Sequence, residues 1–501
     1  MDGIGEQIVS YPKRRYSTTF EGIIDSLEWV LIALILALIF RAFIMEAFRI
    51  PTGSMAKTLR GDHYHLRCPR CGYKYDVGGD YYSRPKPRCP SCGYFLPPGA
   101  VMSVSNGDRV LVLKGIYEFS EPKRWDVVVF KNPLEPHINY IKRMIAGPGE
   151  TVEIIDGDIY VNGQIARKPA NVQQELWMPV YDNDYQPFHK NQGRLTNEAD
   201  RKPTDGDLWQ QPFRNTQGSN WDLNADGPTV FGLDSEPGQV NTIFYDTSIG
   251  NDFRATYGYN NSVYYHLRPI CSDLMTRFYV SSGDRQGLIG VGLKKYEAFY
   301  YGLVDFSGEM IIEKVIDGQT IRLEDQKIGP IDRDSPVHVQ FTNVDHQLIL
   351  EFGGEKLKHD LGRGPDAAGD RKEGGRRAVE IIGAGKLRLS HVAVFRDIHY
   401  ISDGTDVIRA REGSGFTVGE DEFFVCGDNS PYSQDCRVWA AEGVGNNGVK
   451  YTTGVVPRDY LVGKAVLVYW GNAFRPFENL LPIIPNLGQI RFIVGGSDKE
   501  L

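Results

Sequence analysis

Cysteine, positive charge and long apolar runs are all in short supply in this chain, and each shortage excludes something. Seven cysteines among 501 residues are too few for a disulfide scaffold of this length. A formal net charge of -8 argues against a general nucleic-acid binder, whose surface would be basic. No G-x-S-x-G elbow occurs, and no His-Asp pair stands in a serine-hydrolase setting, so that route to a reactive serine is closed. Only one apolar run stands out, the 12 residues from Trp29 to Phe40, and no second one follows. Glycine, by contrast, is abundant (55), as are tyrosine (27) and phenylalanine (24), which favours turns and β-structure over helix. The length implies more than one domain, since single cores rarely exceed ~250–300 residues.

The apolar run is shorter than the ~20 residues of a full membrane span. Ile23, Ile24 and Leu27 extend it upstream; Ala42 to Met45 extend it past Arg41, whose stem can snorkel to the interface. Phe40-Arg41-Ala42-Phe43 is a poor cleavage site, which favours an uncleaved anchor over residues 23–45. Lys13, Arg14 and Arg15 place residues 1–22 in the cytoplasm and everything after Met45 outside.

Just after the anchor comes Phe48-Arg49-Ile50-Pro51-Thr52-Gly53-Ser54-Met55, a serine among small, turn-prone residues. A serine hydroxyl is a weak nucleophile unless a base takes its proton. The candidate base is Lys142, in Asn139-Tyr140-Ile141-Lys142-Arg143-Met144-Ile145, where desolvation would lower its pKa and free the amine. Taken singly, such a serine is usually a turn residue and such a lysine a solvated charge.

Cys68-Pro69-Arg70-Cys71-Gly72 and Cys89-Pro90-Ser91-Cys92-Gly93 form two C-x-x-C knuckles separated by 17 residues. That is zinc-ribbon spacing, with Cys68, Cys71, Cys89 and Cys92 closing a tetrahedral structural site over 67–100. Two disulfides are the alternative, given an oxidising location. No cofactor is called for in catalysis.

Alternating runs predict strands at Arg109 to Leu113, Asp126 to Phe130, Thr151 to Ile155 and Asp158 to Val161, with Asp156-Gly157 as a hairpin turn. From Pro169 through Asn261 the composition reads as long loops. Strands return at Arg277 to Val280, Glu309 to Ile316, Val337 to Thr342, Gln347 to Phe352 and Leu387 to Phe395. The segment Lys386 to Ile398 resembles the closing strand of a concanavalin A-like (laminin-G-like) sandwich. A jelly-roll insert of that kind, starting near residue 262, is read first as a spacer or docking module, with a glycan or protein ligand as the sharper reading.

Five ordered blocks carry a wider resemblance: Phe48 to Leu59, Gly107 to Val112, Arg124 to Phe130, Tyr140 to Ile154, and Gly427 to Arg437 with Val456-Pro457 and Leu461 to Ala465. On these the chain resembles the type I signal peptidases, membrane-bound Ser-Lys proteases. The resemblance implies a mainly β fold: a transmembrane helix, then an antiparallel catalytic core over 46–66, 101–168 and 414–501, interrupted by the ribbon and by a large insert over 169–413. It implies Ser54 as nucleophile, Lys142 as base and Ser433 as the residue orienting the lysine. Thr52 would assist the Ser54 amide at the oxyanion. Asp435 and Arg437, joined by Arg143, would support the site, and Ile50, Met55, Tyr140 and Ile141 would line shallow substrate pockets. Lys57 stands where the family has proline, adding a charge near the site. Implied partners are secretory preproteins cut after small-x-small motifs, membrane lipid and the secretion translocon. Nucleic acid is not among them. Two alternatives are an inactive envelope protein binding through its sandwich and a cytosolic self-cleaving repressor, the latter disfavoured by the anchor.

Overall fold

The structure, a computed structural model, describes residues 19–79, 87–96, 104–133, 135–187, 209–260, 267–283, 286–329, 335–369, 379–402, 407–440, 443–445, 448, 450–471 and 487–496. Lys13, Arg14, Arg15 and the short apolar segment Leu480 to Ile484 lie outside these. The chain is mainly β with an apolar N-terminal helix, as the sequence predicts.

The helix runs Thr19–Phe43, well beyond the 12-residue apolar core of the run. Its segment Gly22–Phe43 is long and apolar enough to cross a membrane, the one such helix among the described residues. At 1.5 Å per residue those 22 residues reach about 33 Å, against a hydrocarbon core of about 30 Å. Its large apolar side chains, Trp29 and Leu36 among them, are exposed on this chain.

The strand Met45–Arg49 follows at once and is the edge of an eight-stranded antiparallel sheet. Beyond it the order is Arg109–Lys114, Leu461–Trp470, Val127–Lys131, Asn139–Ala146, Glu422–Cys426 and Val456–Pro457, and the eighth strand, Arg491–Phe492, pairs off this path with Leu461–Trp470. Val127–Lys131 is buried on both faces, and its alternation divides two cores: Val127 and Val129 join Ile50, Met55 and Val110, whereas Val128 and Phe130 join Met144, Phe424 and Trp439. The hairpin Thr151–Ile155 with Asp158–Val161 turns through Asp156 and Gly157, both at positive φ, as that dipeptide predicts.

The large insert is a sandwich of two seven-stranded sheets, with Phe278, Phe341 and Leu389 of one packed against Val291, Tyr300 and Ile381 of the other. Here the sequence reading needs correction. The described residues between 169 and 260 are mostly loop, as read, but they also carry four short strands that the reading did not place: Met178–Asp182 and Phe231–Asp234 pair with Lys386–Arg396, while Asn241–Tyr245 pairs with Val379–Ala384 and with Phe213–Asn215. The sandwich therefore begins near 178, not near 262. The core also resumes earlier than 413, because Ile398, Tyr400 and Ala410 pack into the cluster of Val128, Phe130 and Met144, as do Val172 and Leu176.

Buried charges fasten the sandwich to the core. Lys168 meets Asp345 and, at 2.9 Å, Asp397; Lys295, which pairs with Asp273 inside the sandwich, reaches Asp158 of the core at 4.0 Å. Asn251 of the insert donates to the Pro90 carbonyl of the second cysteine knuckle at 2.8 Å and to Val180 at 3.0 Å.

Candidate active site

Lys142 lies on Asn139–Ala146 with Tyr140 and Met144 two residues to either side, and its partner across the sheet is Val128. A strand's side chains alternate between faces, so the lysine stands on a face made of an aromatic ring, a thioether and an isopropyl group. It is 3% exposed. Burial pushes its amine down from 10.5 to about 8, against an opposing pull from Asp435. The Nζ donates to Ser54 Oγ at 2.8 Å and to the Ile141 carbonyl at 3.1 Å. Residues 88 apart are thus brought into direct contact.

Two carboxylates lie close enough to threaten this arrangement, and each is held by an arginine. Asp435 receives Arg437 through both oxygens, at 2.9 and 2.7 Å, plus the Gly427 N–H at 2.9 Å. Burial alone would raise its pKa, but Arg437 overrides that and holds the carboxyl below its ordinary value. Asp428 receives Arg143 through both oxygens at 2.7 Å, and Thr58 Oγ1 donates to it at 2.5 Å. Both members of this second pair are fully buried. Paired in this way, neither acid competes with the serine for the amine.

Most of the residues named from sequence converge here. Ile50, Thr52, Tyr140 and Ile141 line a cleft of about 580 Å³ around Ser54 and Lys142. Four details differ. Met55 is fully buried beneath the cleft among Leu59, Val110 and Val112. Arg143 joins Asp428 instead of the Asp435–Arg437 pair, because neighbours on a strand face opposite ways. Ser433 is buried at the site, but its Oγ makes no hydrogen bond to Lys142, whose amine is satisfied by Ser54 and a backbone carbonyl. Lys57 turns away from the dyad into a small cavity beside Tyr257 and Arg396, where burial pushes its amine down to about 8.

Gly427 explains a close approach that its neighbours require: a Cβ there would fall 2.2 Å from Ser433 Oγ and 2.5 Å from the Ser54 carbonyl. Sequence reasoning missed Asp428 and Asn429, although both sit inside the Gly427 block. It also missed Thr58, Tyr259 and Asn260. The signal for Asp428 is a carboxylate beside that glycine; Tyr259 and Asn260 carry none.

The four knuckle cysteines converge within 4.8 Å of one another. The Cys68–Cys92 and Cys71–Cys89 sulfurs are 3.7 and 3.6 Å apart. A disulfide would need about 2.05 Å, whereas four sulfurs at about 2.3 Å from a tetrahedral ion lie about 3.8 Å from one another. Gly72 and Gly93 occupy positive φ at the two turns. The donor set fits a closed metal site.

The Ser54 hydroxyl is thus bonded to a desolvated amine carried on an interior strand of the antiparallel sheet, and a hydroxyl needs such a neighbouring base before it can act as a nucleophile. The model of the family described as "Signal peptidase, peptidase S26" matches residues 98–205 and 393–470 of this chain. Those residues hold Lys142, Asp428, Ser433, Asp435 and Arg437; the Ser54 turn lies ahead of them. The chain is 34% identical over 137 residues to "Signal peptidase I" of Rickettsia felis (strain ATCC VR-1525 / URRWXCal2), a match covering 27% of this chain and 42% of that protein. It is 34% identical over 127 residues to the "Signal peptidase I" of Rickettsia prowazekii (strain Madrid E), covering 25% and 39%. The matches thus span well under half the length of these relatives. Among solved structures, the "carbohydrate binding module CBM66 from Bacillus subtilis" aligns over 36% of this chain and 94% of its own, at 11% identity and a TM-score of 0.24, too low to carry an argument.

Proposed function

We propose that this protein is a membrane-anchored signal peptidase that cuts secretory preproteins after small-x-small motifs. The observation that carries the reading is the 2.8 Å contact between a buried lysine amine and the Ser54 hydroxyl. In the proposed reaction Ser54 Oγ attacks the scissile carbonyl while Lys142 Nζ takes its proton. The tetrahedral oxyanion is met by the Ser54 N–H and the Thr52 hydroxyl. Collapse expels the amine product, which takes the proton back from Lys142, and leaves an ester on Ser54. Water, deprotonated by the same amine, then releases the serine. The anchor holds the cleft at the outer face of the membrane, where preproteins leave the translocon.

The test is cleavage of an Ala-x-Ala preprotein by the full chain in detergent micelles, with Ser54→Ala as the control. Cleavage should rise as pH increases through about 8, because that is where Lys142 loses its proton, and level off above. Wild-type-like cleavage by the Ser54→Ala protein, or a rate that falls across that interval, would reject the reading.

The cysteine segment is proposed to hold one structural zinc. Its support is the sulfur spacing, which suits four thiolates around one ion. The expected result is one zinc per chain by elemental analysis, lost in Cys89→Ser together with the fold of residues around the knuckles. Two disulfides by mass spectrometry, with no metal, would refute it.

A further inference from the structure

The family core builds only part of the cleft around Ser54. Gly78 reaches it from the cysteine segment, and Tyr259 and Asn260 reach it from the large insert. We infer that Tyr259 is a specificity-determining residue, closing one side of the cleft so that the substrate side chain resting against it must be small. This rests on the peptidase reading above.

The ring of Tyr259 is wedged between two glycines. A Cβ at Gly53, the residue before the nucleophile, would fall 2.3 Å from Tyr259 Cε1, and one at Gly78 would fall 2.6 Å from it. Its hydroxyl donates to the Asp62 carbonyl at 3.1 Å, and its own carbonyl accepts from the Gly78 N–H at 2.8 Å. The ring is therefore held at both ends and is itself 3% exposed. Ala56, two residues after Ser54, packs with it and with Tyr257 and Met178.

Asn260 ties the same loop to the nucleophile turn. It and Asn429 exchange side-chain hydrogen bonds of 2.6 and 2.8 Å. Asn429 in turn donates to the Gly53 carbonyl at 2.9 Å and, from its backbone, to the Ser54 carbonyl at 3.0 Å. Asn260 is thus a positioning residue, acting on Ser54 through Asn429. The buried contacts of Lys168 with Asp345 and of Lys295 with Asp158, and the Asn251 contacts to the knuckle, keep this wall from behaving as a loose flap. A rigid, aromatic, fully packed wall excludes bulk by steric clash, which is how a pocket rejects a larger side chain.

The experiment compares preproteins that carry Ala, Val or Leu at either small position before the cut, using the full chain in micelles. Wild type should favour Ala. Tyr259→Ala should cut that preference by about tenfold or more at one of the two positions, within the range that a few methylenes command in a pocket. If Tyr259→Ala loses its fold, judged by thermal melting, Tyr259→Leu serves instead, because it shortens the wall while keeping it apolar. Asn260→Ala should lower kcat and leave KM nearly unchanged, while the unpaired Asn429 amide lowers the melting temperature by a few degrees. Unchanged selectivity at both positions in a folded, active Tyr259 variant overturns the inference while the peptidase reading stands. Failure of the folded wild type to cleave any preprotein sinks both.

Discussion

Replacing Lys142 with methionine should abolish preprotein cleavage and, at pH 7, make the protein more stable. The activity loss follows from the role of the amine: a positioned general base contributes roughly 10²–10⁴-fold, and no other base touches Ser54 Oγ among the described residues. The gain in stability follows from linkage. An amine at about 8 in the folded chain and 10.5 when free binds fewer protons folded than unfolded, so the native state carries a penalty. At about 1.4 kcal/mol per pKa unit the penalty is about 3 kcal/mol. It is fully present below pH 8 and fades as pH rises from 8 to 10.5. Methionine is of similar length, carries no charge and suits the niche formed by Tyr140, Met144 and Val128. Denaturant unfolding at pH 7 and pH 10.5 should show the variant's advantage shrinking. Retained turnover would remove the lysine from the mechanism, and a variant less stable at pH 7 would refute the burial argument.

The second large effect belongs to Asp428→Ala. It leaves the Arg143 guanidinium fully buried without its partner and strips Thr58 of its acceptor. Breaking a buried pair from one side costs about 3–5 kcal/mol, because the remaining charge is neither solvated nor paired. Activity should fall with it, since Arg143 adjoins Lys142 on the same strand. Two comparisons isolate the cause. Asp421→Ala, which breaks a surface pair between the exposed Asp421 and the partly buried Arg458, should cost less than about 1 kcal/mol. Replacing both Arg143 and Asp428 with leucine should recover part of the loss, as apolar isosteres of buried pairs often do. Equal costs for Asp428→Ala and Asp421→Ala would mean that the buried pair adds nothing.

Residue order alone revealed those parts of this molecule whose causes are local. Thr151–Ile155, Asp158–Val161, Glu309–Ile316 and Gln347–Phe352 have the bounds that their alternation predicts, because period-two burial and turn residues act over a few positions. The cysteine knuckles are equally local. Met178–Asp182, Phe213–Asn215, Phe231–Asp234 and Asn241–Tyr245 are short, polar-flanked strands whose ladders are completed by one another and by residues 379–396, well over a hundred positions later in most pairings. Nothing in such a segment announces its partner.

The same division runs through the candidate site. The chain by itself determined that a serine in a small-residue turn, a lysine between hydrophobes and a Gly-Asp-Asn block belong to one apparatus. It also determined that a β-rich body follows an apolar helix. Only the tertiary structure decided that Met55 lies beneath the cleft, that Arg143 answers to Asp428, that the Lys142 amine rests on Ser54 and a carbonyl with Ser433 set apart, and that Tyr259 of the insert walls the cleft. The reason is that side-chain type and spacing act along the chain, whereas burial, charge pairing and steric closure depend on which distant segments are packed against each other.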